Sequence, residues 1–561
     1  MKKVLLLALN ARFTHSNLAL HCLRTSAVNT NYEISIKELT INQQSLEIIT
    51  EIYQNSPDVL AISVYIWNSQ IVQKILPEIK KVLPKCKIVL GGPEVSYNSE
   101  DWIKNFPEID FIIRGHGETG FKFLLENNLT SNMKIIHIQN PHFNEIDFPY
   151  CNDDFTELAG KYLYYESSRG CSFRCSYCLS SRSDQKLEYR SLEKVKTELT
   201  YLISKKPKIV KFVDRTFNAN KVFAREVWQF LIDFDTDTKF HFEIFPGLLE
   251  EQDFAILSAA PEDRFQFEIG IQSVNPHVVK TIDRNDNWLI SKDNIKKLID
   301  LKNIHIHTDM IVGLPSENFS ELQHSFNEIY ALKSDHFQLG FLKVIPGTKI
   351  REQADKFNIK YTHTPPYHVL STSEITFDEL SDIKNIELLL NKYYNSGKYL
   401  SVTDFLCSFY DVPYDFYNVL RRYYEENEID IANPNWQQNA KNFIEFGKQN
   451  HPELVQQIRD RLRWDWCKTA NSHYFPDFLQ NDKLKQAKEL GYRFLKNLSE
   501  QDTIIFDEHS FKLSALKSAV FFLPESAEFS SEFDLENKIA VFIKERGKKV
   551  VLRIPMEKIV P

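Results

Sequence analysis

The sequence predicts an α/β protein in three parts: a doubly wound parallel sheet over residues 1–150, a partial β/α barrel over 151–355, and a mostly helical segment ending in strands over 356–561. Three observations carry that expectation. Unbroken Val/Ile/Leu runs alternate with helix-like stretches in the first third, as strands covered on both faces do. Strand-like and helix-like segments then alternate about six times through the middle third, the order of a parallel barrel or part of one. A chain of 561 residues is too long for one core, and about 150 residues per domain gives roughly three.

The composition narrows the class. Hydrophobic residues make up 43%, ordinary for a folded soluble protein. With 68 basic against 76 acidic residues the net charge is −8, so there is no general basic footprint for nucleic acid; a small-molecule or natural-product-like substrate is the expectation. The opening MKKVLLLALNARF lacks a small-residue cleavage site and reads as a buried first strand rather than a signal peptide. No apolar run approaches the ~20 residues that span a bilayer. A cytoplasmic location without membrane contact is expected, and there Cys22, Cys86, Cys151, Cys407 and Cys467 read as reduced packing residues.

In the first third the strand candidates are KVLLLAL (3–9), EISIKEL (33–39), VLAISVYIW (59–67), KIVLGG (87–92) and DFIIRG (110–115). Ligands of doubly wound sheets bind at the carboxyl ends of the strands. Those ends carry Asn10, Tyr65, Trp67, Asn68, Gly91, Gly92, Glu94, Gly115, His116, Gly117 and Glu118. Gly115-x-Gly117-x-x-Gly120 spells a dinucleotide fingerprint. It follows the fifth strand rather than the first, and a lone match is weak support for a nicotinamide cofactor.

The middle third opens on SSRGCSFRCSYCLSS, which packs Cys171, Cys175 and Cys178 into eight residues. Thiolates this crowded in a reducing compartment point to a metal centre. Zinc would want four ligands in a closed tetrahedron, and no second Cys-x-x-Cys pair stands in the sequence; a distant fourth ligand such as Cys151 is the alternative. A four-iron four-sulfur cluster is usually held by four cysteines, so three would leave one iron open to a substrate or cofactor.

The spacing Cys171-x3-Cys175-x2-Cys178, with the aromatic Tyr177 before the last cysteine, resembles the radical S-adenosylmethionine (SAM) enzymes. The likeness extends in order through KIVKFVDRTF, KFHFEIFPG, RFQFEIGIQS, IHIHTDMIVGLP and HFQLGFLKVIPG. It implies a 4Fe–4S cluster whose open iron chelates SAM, and reductive cleavage of SAM to a 5′-deoxyadenosyl radical, with electrons from a protein such as flavodoxin or ferredoxin. It also implies SAM contacts: Asp214 to the ammonium, Glu243 to the ribose, and Gln272, Ser273 and Arg284 to the ribose and carboxylate. Gly313 would admit the adenine and Val344 would bracket it through its backbone. Phe245 stands where related enzymes commonly have an arginine.

The GGPE and GHGE turns of the first third resemble the cobalamin-binding domain that precedes the radical SAM domain in a large subclass. The Asp-x-His-x-x-Gly motif of several cobalamin proteins is absent from the sequence. Cobalamin without a protein histidine on cobalt is therefore expected, screened by Tyr65 or Trp67, with His15 and His116 in loop or tail contacts.

The last third begins at a break, PPYHVLST, where Pro365-Pro366 forces extended chain. Its aromatic residues Tyr393, Tyr394, Tyr423, Tyr424, Trp464 and Trp466 read as core, with substrate contact the alternative. The junction and tail resemble an uncharacterised C-terminal domain appended to one group of cobalamin-dependent radical SAM proteins. Together these resemblances imply a methyltransferase acting on an unactivated carbon through the deoxyadenosyl radical and methylcobalamin. A cobalamin-assisted rearrangement, cyclisation or electron transfer without methylation is the first alternative, and a non-catalytic corrinoid or cluster sensor is the second.

Overall fold

Val4 through Leu9 are each at most 1% exposed, and alternation explains how one strand buries both faces. Leu5, Leu7 and Leu9 join one apolar cluster, while Val4, Leu6 and Ala8 join another on the opposite side, as the two-residue period of a strand requires. In the computed structural model, which describes residues 1–182, 186–470, 472, 474–497, 503–506, 509–545 and 548–559, this is β1 (Lys2–Asn10). With β2 (Tyr32–Thr40), β3 (Val59–Ser63), β4 (Lys87–Gly91), β5 (Phe111–Ile113) and β6 (Ile135–Ile136) it builds a parallel sheet in the order β2-β1-β3-β4-β5-β6. Helices 45–55 and 69–82 cover one face through Ile48, Ile52, Val72 and Ile75, and helices 18–26 and 118–126 cover the other through Leu20, Phe121 and Leu124. Strand order reverses between β1 and β3, which is where such sheets open a crevice for ligands.

A second parallel sheet follows. After β7 (Leu163–Tyr165), the short β8 (Ser168–Arg169) and β9 (Glu188–Tyr189) pair antiparallel across the cysteine loop. Then come β10 (Ile209–Phe212), β11 (Lys239–Ile244), β12 (Phe265–Gln272), β13 (Ile304–Val312) and β14 (His336–Phe341), in the order β14-β13-β12-β11-β10-β7. This is the expected partial barrel. Two of its strands differ from β1 in having one face only buried: β12 and β13 alternate buried and half-buried residues along their whole length.

Residues 356–380 pack with these sheets, in a compact unit spanning Met1–Leu380. The Pro365-Pro366 stretch, expected as an extended link, is tied down. Pro365 O accepts from Gln70 Nε2 at 2.9 Å, and Tyr367, 5% exposed, donates its hydroxyl to Glu94 Oε1 at 2.5 Å. β15 (Lys360–Tyr361) and β16 (Val369–Ser371) pair antiparallel beside it. A buried aromatic with a buried partner holds that segment, a contact that prolines alone do not reveal.

The second compact unit, Ser381–Pro561, is helical as far as the helix Asp482–Asn497 and then turns to strands, among them the antiparallel group β19-β20-β21 (Val520–Phe522, Lys538–Glu545 and Lys548–Pro555), which follows β17 (Thr503–Phe506) and β18 (His509–Lys512). Tyr393, Tyr394, Tyr423, Tyr424 and Trp464 are buried in its core, and Trp466 packs edge-on to Trp436. No helix among the described residues is long and apolar enough to cross a membrane.

Candidate active site

The cysteine loop is shaped by backbone before any metal enters. Gly170 adopts φ +94°, and a Cβ there would stand 2.3 Å from the carbonyl oxygen of Lys186, so only glycine lets the two arms of the β8–β9 ribbon pass. Asp214, at the end of β10, accepts from the Ser167 amide at 3.0 Å and from the Ser167 and Ser168 hydroxyls at 2.6 Å. Burial pushes its carboxyl up to about 6 against those hydrogen bonds. The loop is pinned again at Ser176, whose N–H donates to Ile282 O and whose carbonyl accepts from Ile350 N–H, both at 2.8 Å. Arg284 donates to Gly270 O and reaches Cys175 Sγ at 3.9 Å. Thr216 Oγ1 lies 3.7 Å from Cys171 Sγ. Burial raises the Cys175 thiol, opposed by the Arg284 charge, and raises the Tyr177 phenol beside it.

The carboxyl ends of both sheets open into one cavity of about 1010 Å³, at the upper end of the range for small-molecule sites. From the first sheet it is lined by Asn10, Tyr65, Trp67, Gly91, Gly92, Glu94, Gly115, Gly117 and Glu118. From the barrel come Glu243, Glu268 and Arg215, with Leu179 and Ser180 immediately after Cys178. Gly92 is required by contact: at φ +106° a Cβ would sit 2.5 Å from Val64 O. Tyr65 and Trp67 stack with ring centroids 4.4 Å apart, and Trp67 Nε1 donates to Leu9 O. His15 and His116 line the same space, and His15 Nδ1 is 2.5 Å from Tyr164 Oη.

Charge is concentrated where the two sheets meet. Arg169 reaches Glu118 at 2.9 Å and Glu166 at 2.7 Å. Burial would raise the Glu118 carboxyl, but the Arg169 charge together with hydrogen bonds from Arg169, Asn140 and the Glu118 backbone holds it below its ordinary value. Glu243, 3.7 Å from Arg215, is pushed up to about 7, chiefly by burial.

Other residues expected at the site have different partners. Asn68 is buried and holds its own turn, donating to Leu9 O and Ser63 O and accepting from Tyr65 N–H. Ser273 donates to Glu317 Oε1 at 2.6 Å within a buried network with Asn275 and Ser325. Both backbone groups of Val344 are engaged, the N–H by Tyr367 O and the carbonyl by Arg351. Gly313 keeps φ +84° and faces Val369, whose side chain a Cβ would approach to 2.8 Å. Gln272, at φ +74°, has a buried Oε1 without a hydrogen bond, as does Arg284 Nε. Among the residues lining the cavity, sequence reasoning missed Arg169, Arg215 and Glu268.

A model described as Radical SAM superfamily matches residues 165–329, and one described as B12 binding domain matches residues 4–125. The chain thus carries a B12-binding domain followed by a radical SAM domain. A third model, protein of unknown function (DUF4080), matches residues 355–539 and places the chain in the group with that uncharacterised C-terminal domain. The cofactors of the radical SAM and B12-binding domains are a 4Fe–4S cluster, SAM and cobalamin.

Among its relatives is the 2-(S-pantetheinyl)-carbapenam-3-carboxylate methyltransferase of Streptantibioticus cattleyicolor, 22% identical over 66% of this chain and 61% of that one. The cobalamin-dependent radical SAM methyltransferase TokK of Streptomyces tokunonensis is 23% identical over 46% and 43%. The chain therefore covers less than two thirds of either relative. Similar solved structures are TsrM from Kitasatospora setae with cobalamin and cluster bound (TM-score 0.54, 15% identity, 65% of this chain and 82% of that one) and the cobalamin-dependent SAM radical enzyme OxsB (0.57, 13%, 83% and 79%). At those identities they show the shared fold.

The residues fit these groups. Cys171, Cys175 and Cys178 sit on one loop held by Asp214, Ser176 and Arg284, and a three-thiolate set leaves one iron of a 4Fe–4S cluster without a protein ligand. The glycine-edged cavity at the β1/β3 crevice suits a large planar cofactor.

Proposed function

We propose that this radical SAM enzyme methylates an unactivated carbon of a small, natural-product-like molecule. The observation that supports the reading is the single cavity onto which the cobalamin-type sheet edge and the barrel mouth both open. When bound, SAM on the cluster would supply hydrogen abstraction and cobalamin a methyl group, and a substrate between them would meet both without leaving. The relatives named as methyltransferases favour the same outcome.

The chain's own residues have assignable parts in it. Cys171, Cys175 and Cys178 hold the cluster, with Arg284 against Cys175 offsetting thiolate charge. Gln272 Oε1, buried without a hydrogen bond, accepts from a ribose hydroxyl; Arg284 Nε, 3.9 Å from Asp286 Oδ2, donates to the SAM carboxylate. Asp214 fixes the cysteine loop through Ser167 and Ser168, and its Oδ2, which accepts one hydrogen bond, keeps acceptor capacity for the SAM ammonium. Glu243, held near neutrality by burial, faces the cavity and can exchange a proton with a ligand there. A flavodoxin- or ferredoxin-like protein supplies electrons.

The test is product analysis of anaerobically reconstituted protein given cobalamin, reductant, methyl-labelled SAM and a cell extract. S-adenosylhomocysteine together with 5′-deoxyadenosine, and label in one small molecule, is the expected result. Deoxyadenosine alone, with an extract component consumed, would replace methylation by a radical rearrangement, cyclisation or electron transfer. No SAM cleavage with all cofactors loaded would leave a sensor.

A further inference from the structure

The half-buried face of the barrel carries a cluster that the cysteine loop does not use and that touches the strand-end cavity only through Glu268. His307 and Asp309 are two apart on β13 and so share a face, and Glu268 on β12 is in register with His307. One ligand atom from each lies within 4.8 Å of the others. His307 Nε2 and Asp309 Oδ1 approach to 2.8 Å, yet neither atom makes a hydrogen bond of acceptable direction. An imidazole and a carboxylate at that distance attract each other as an ion pair, and it is also a distance at which both could bind one ion. Ligand atoms around an ion at about 2.0–2.2 Å stand roughly 2.8–3.6 Å apart.

The surroundings fit a metal ligand set. His241 Nε2 is 3.0 Å from Glu268 Oε2 and steadies that carboxylate. This is the kind of outer partner that metal-bound carboxylates usually have. The His336 ring packs edge-on against His307, centroids 4.3 Å apart. Two carboxylates and an imidazole favour a divalent first-row ion over calcium or magnesium, and two carboxylate charges balance it.

We propose that Glu268, His307 and Asp309 bind one divalent transition-metal ion, such as zinc, on the barrel side of the cavity. Three protein ligands leave a coordination position open, and Glu268 also lines the cavity. The ion would therefore anchor a substrate oxygen anion, a carboxylate for instance. The anchoring role rests on the methylation reading; metal binding does not.

The experiment is equilibrium dialysis of the full chain, carrying its cluster, against zinc, with zinc and iron counted separately by elemental analysis. The same measurement on a Cys171→Ala/Cys175→Ala/Cys178→Ala chain removes thiol binding as an explanation. About one zinc per chain is expected in both, weakened at least tenfold in His307→Ala and in Asp309→Asn. The second substitution nearly preserves shape, and circular dichroism confirms that both variants fold. Cobalt(II) in place of zinc should show visible absorption of a four- or five-coordinate site, lost in Asp309→Asn. No zinc above background in the chain without the three loop cysteines, or undiminished zinc in both folded variants, overturns the site. Zinc that binds but whose removal leaves methylated product unchanged, with SAM cleavage intact, overturns the anchoring role alone; a failure of the methylation reading appears instead as missing S-adenosylhomocysteine while zinc still binds.

Discussion

The two parallel sheets of the first unit end at the same cavity but are built on opposite plans. Val4–Leu9 of β1 is buried on both faces, so the first sheet can meet a ligand only through the loops at its strand ends. β12 and β13 bury every second residue and leave the others half-exposed, so the barrel offers a ligand a whole face, with Glu268, His307 and Asp309 upon it. A repeated strand-helix order thus yields an edge for holding a large cofactor and a polar face for chemistry, depending only on whether helices cover one side or two.

The largest break in that comparison is Cys175→Ala. Cluster iron and deoxyadenosine formation are expected to fall to background, while cobalamin binding at the first sheet stays within about twofold; joint loss of both would mean that the two sites are not separately built.

Arg169→Met comes next, because it leaves Glu118 and Glu166 without the cation that links sheet edge to cysteine loop. Removing one partner of a buried ion pair typically costs about 3–5 kcal/mol, measurable by urea unfolding. The Glu118 carboxyl lies below its ordinary value when folded. Its contribution is therefore complete above the ordinary carboxylate range and is lost as pH falls through the depressed value. Arg169→Met should remove that acid-side slope, and an unchanged slope would refute the coupling.

Glu317 works with the opposite sign. Burial raises its carboxyl from 4.5 to about 7, so the folded state binds the extra proton and stability is lost as pH rises through that range. Relative to Glu317→Gln, the unsubstituted chain should lose about 3 kcal/mol between pH 5 and pH 8, at about 1.4 kcal/mol per pKa unit. Parallel stability profiles for the two chains would contradict the assignment.

The smallest effect separates two glycines. Gly92→Ala puts a Cβ 2.5 Å from Val64 O at φ +106°, whereas Gly160→Ala, at φ +80°, meets nothing within 4 Å. The first is expected to cost about 1–3 kcal/mol and to weaken cobalamin binding roughly tenfold. The second should cost about 1 kcal/mol and leave binding unchanged.

Both sheets were legible in the sequence because unbroken apolar runs and strand-helix repetition are direct consequences of burial. The cysteine spacing and the glycine turns were legible for the same kind of reason, since thiolate crowding and left-handed backbone leave few alternatives. Hydrogen-bond partners were not. Nothing in VDRTFN says that Asp214 turns back to Ser167 and Ser168, nor in EIGIQS that Ser273 is claimed by Glu317 from 44 residues away. Those choices are made by packing across strands. The His307 and Asp309 pair was visible as a period-two pattern, and acquires meaning only when register brings Glu268 beside it.

The account stands most directly on the shared cavity, and electron paramagnetic resonance of the reduced protein tests it. With cob(II)alamin and the reduced cluster both bound, each paramagnetic centre should broaden the other's signal, and the Cys175→Ala chain should return an unperturbed cobalt spectrum. A spectrum of the doubly loaded protein that is the plain sum of the two separate ones would contradict a single chamber serving both cofactors.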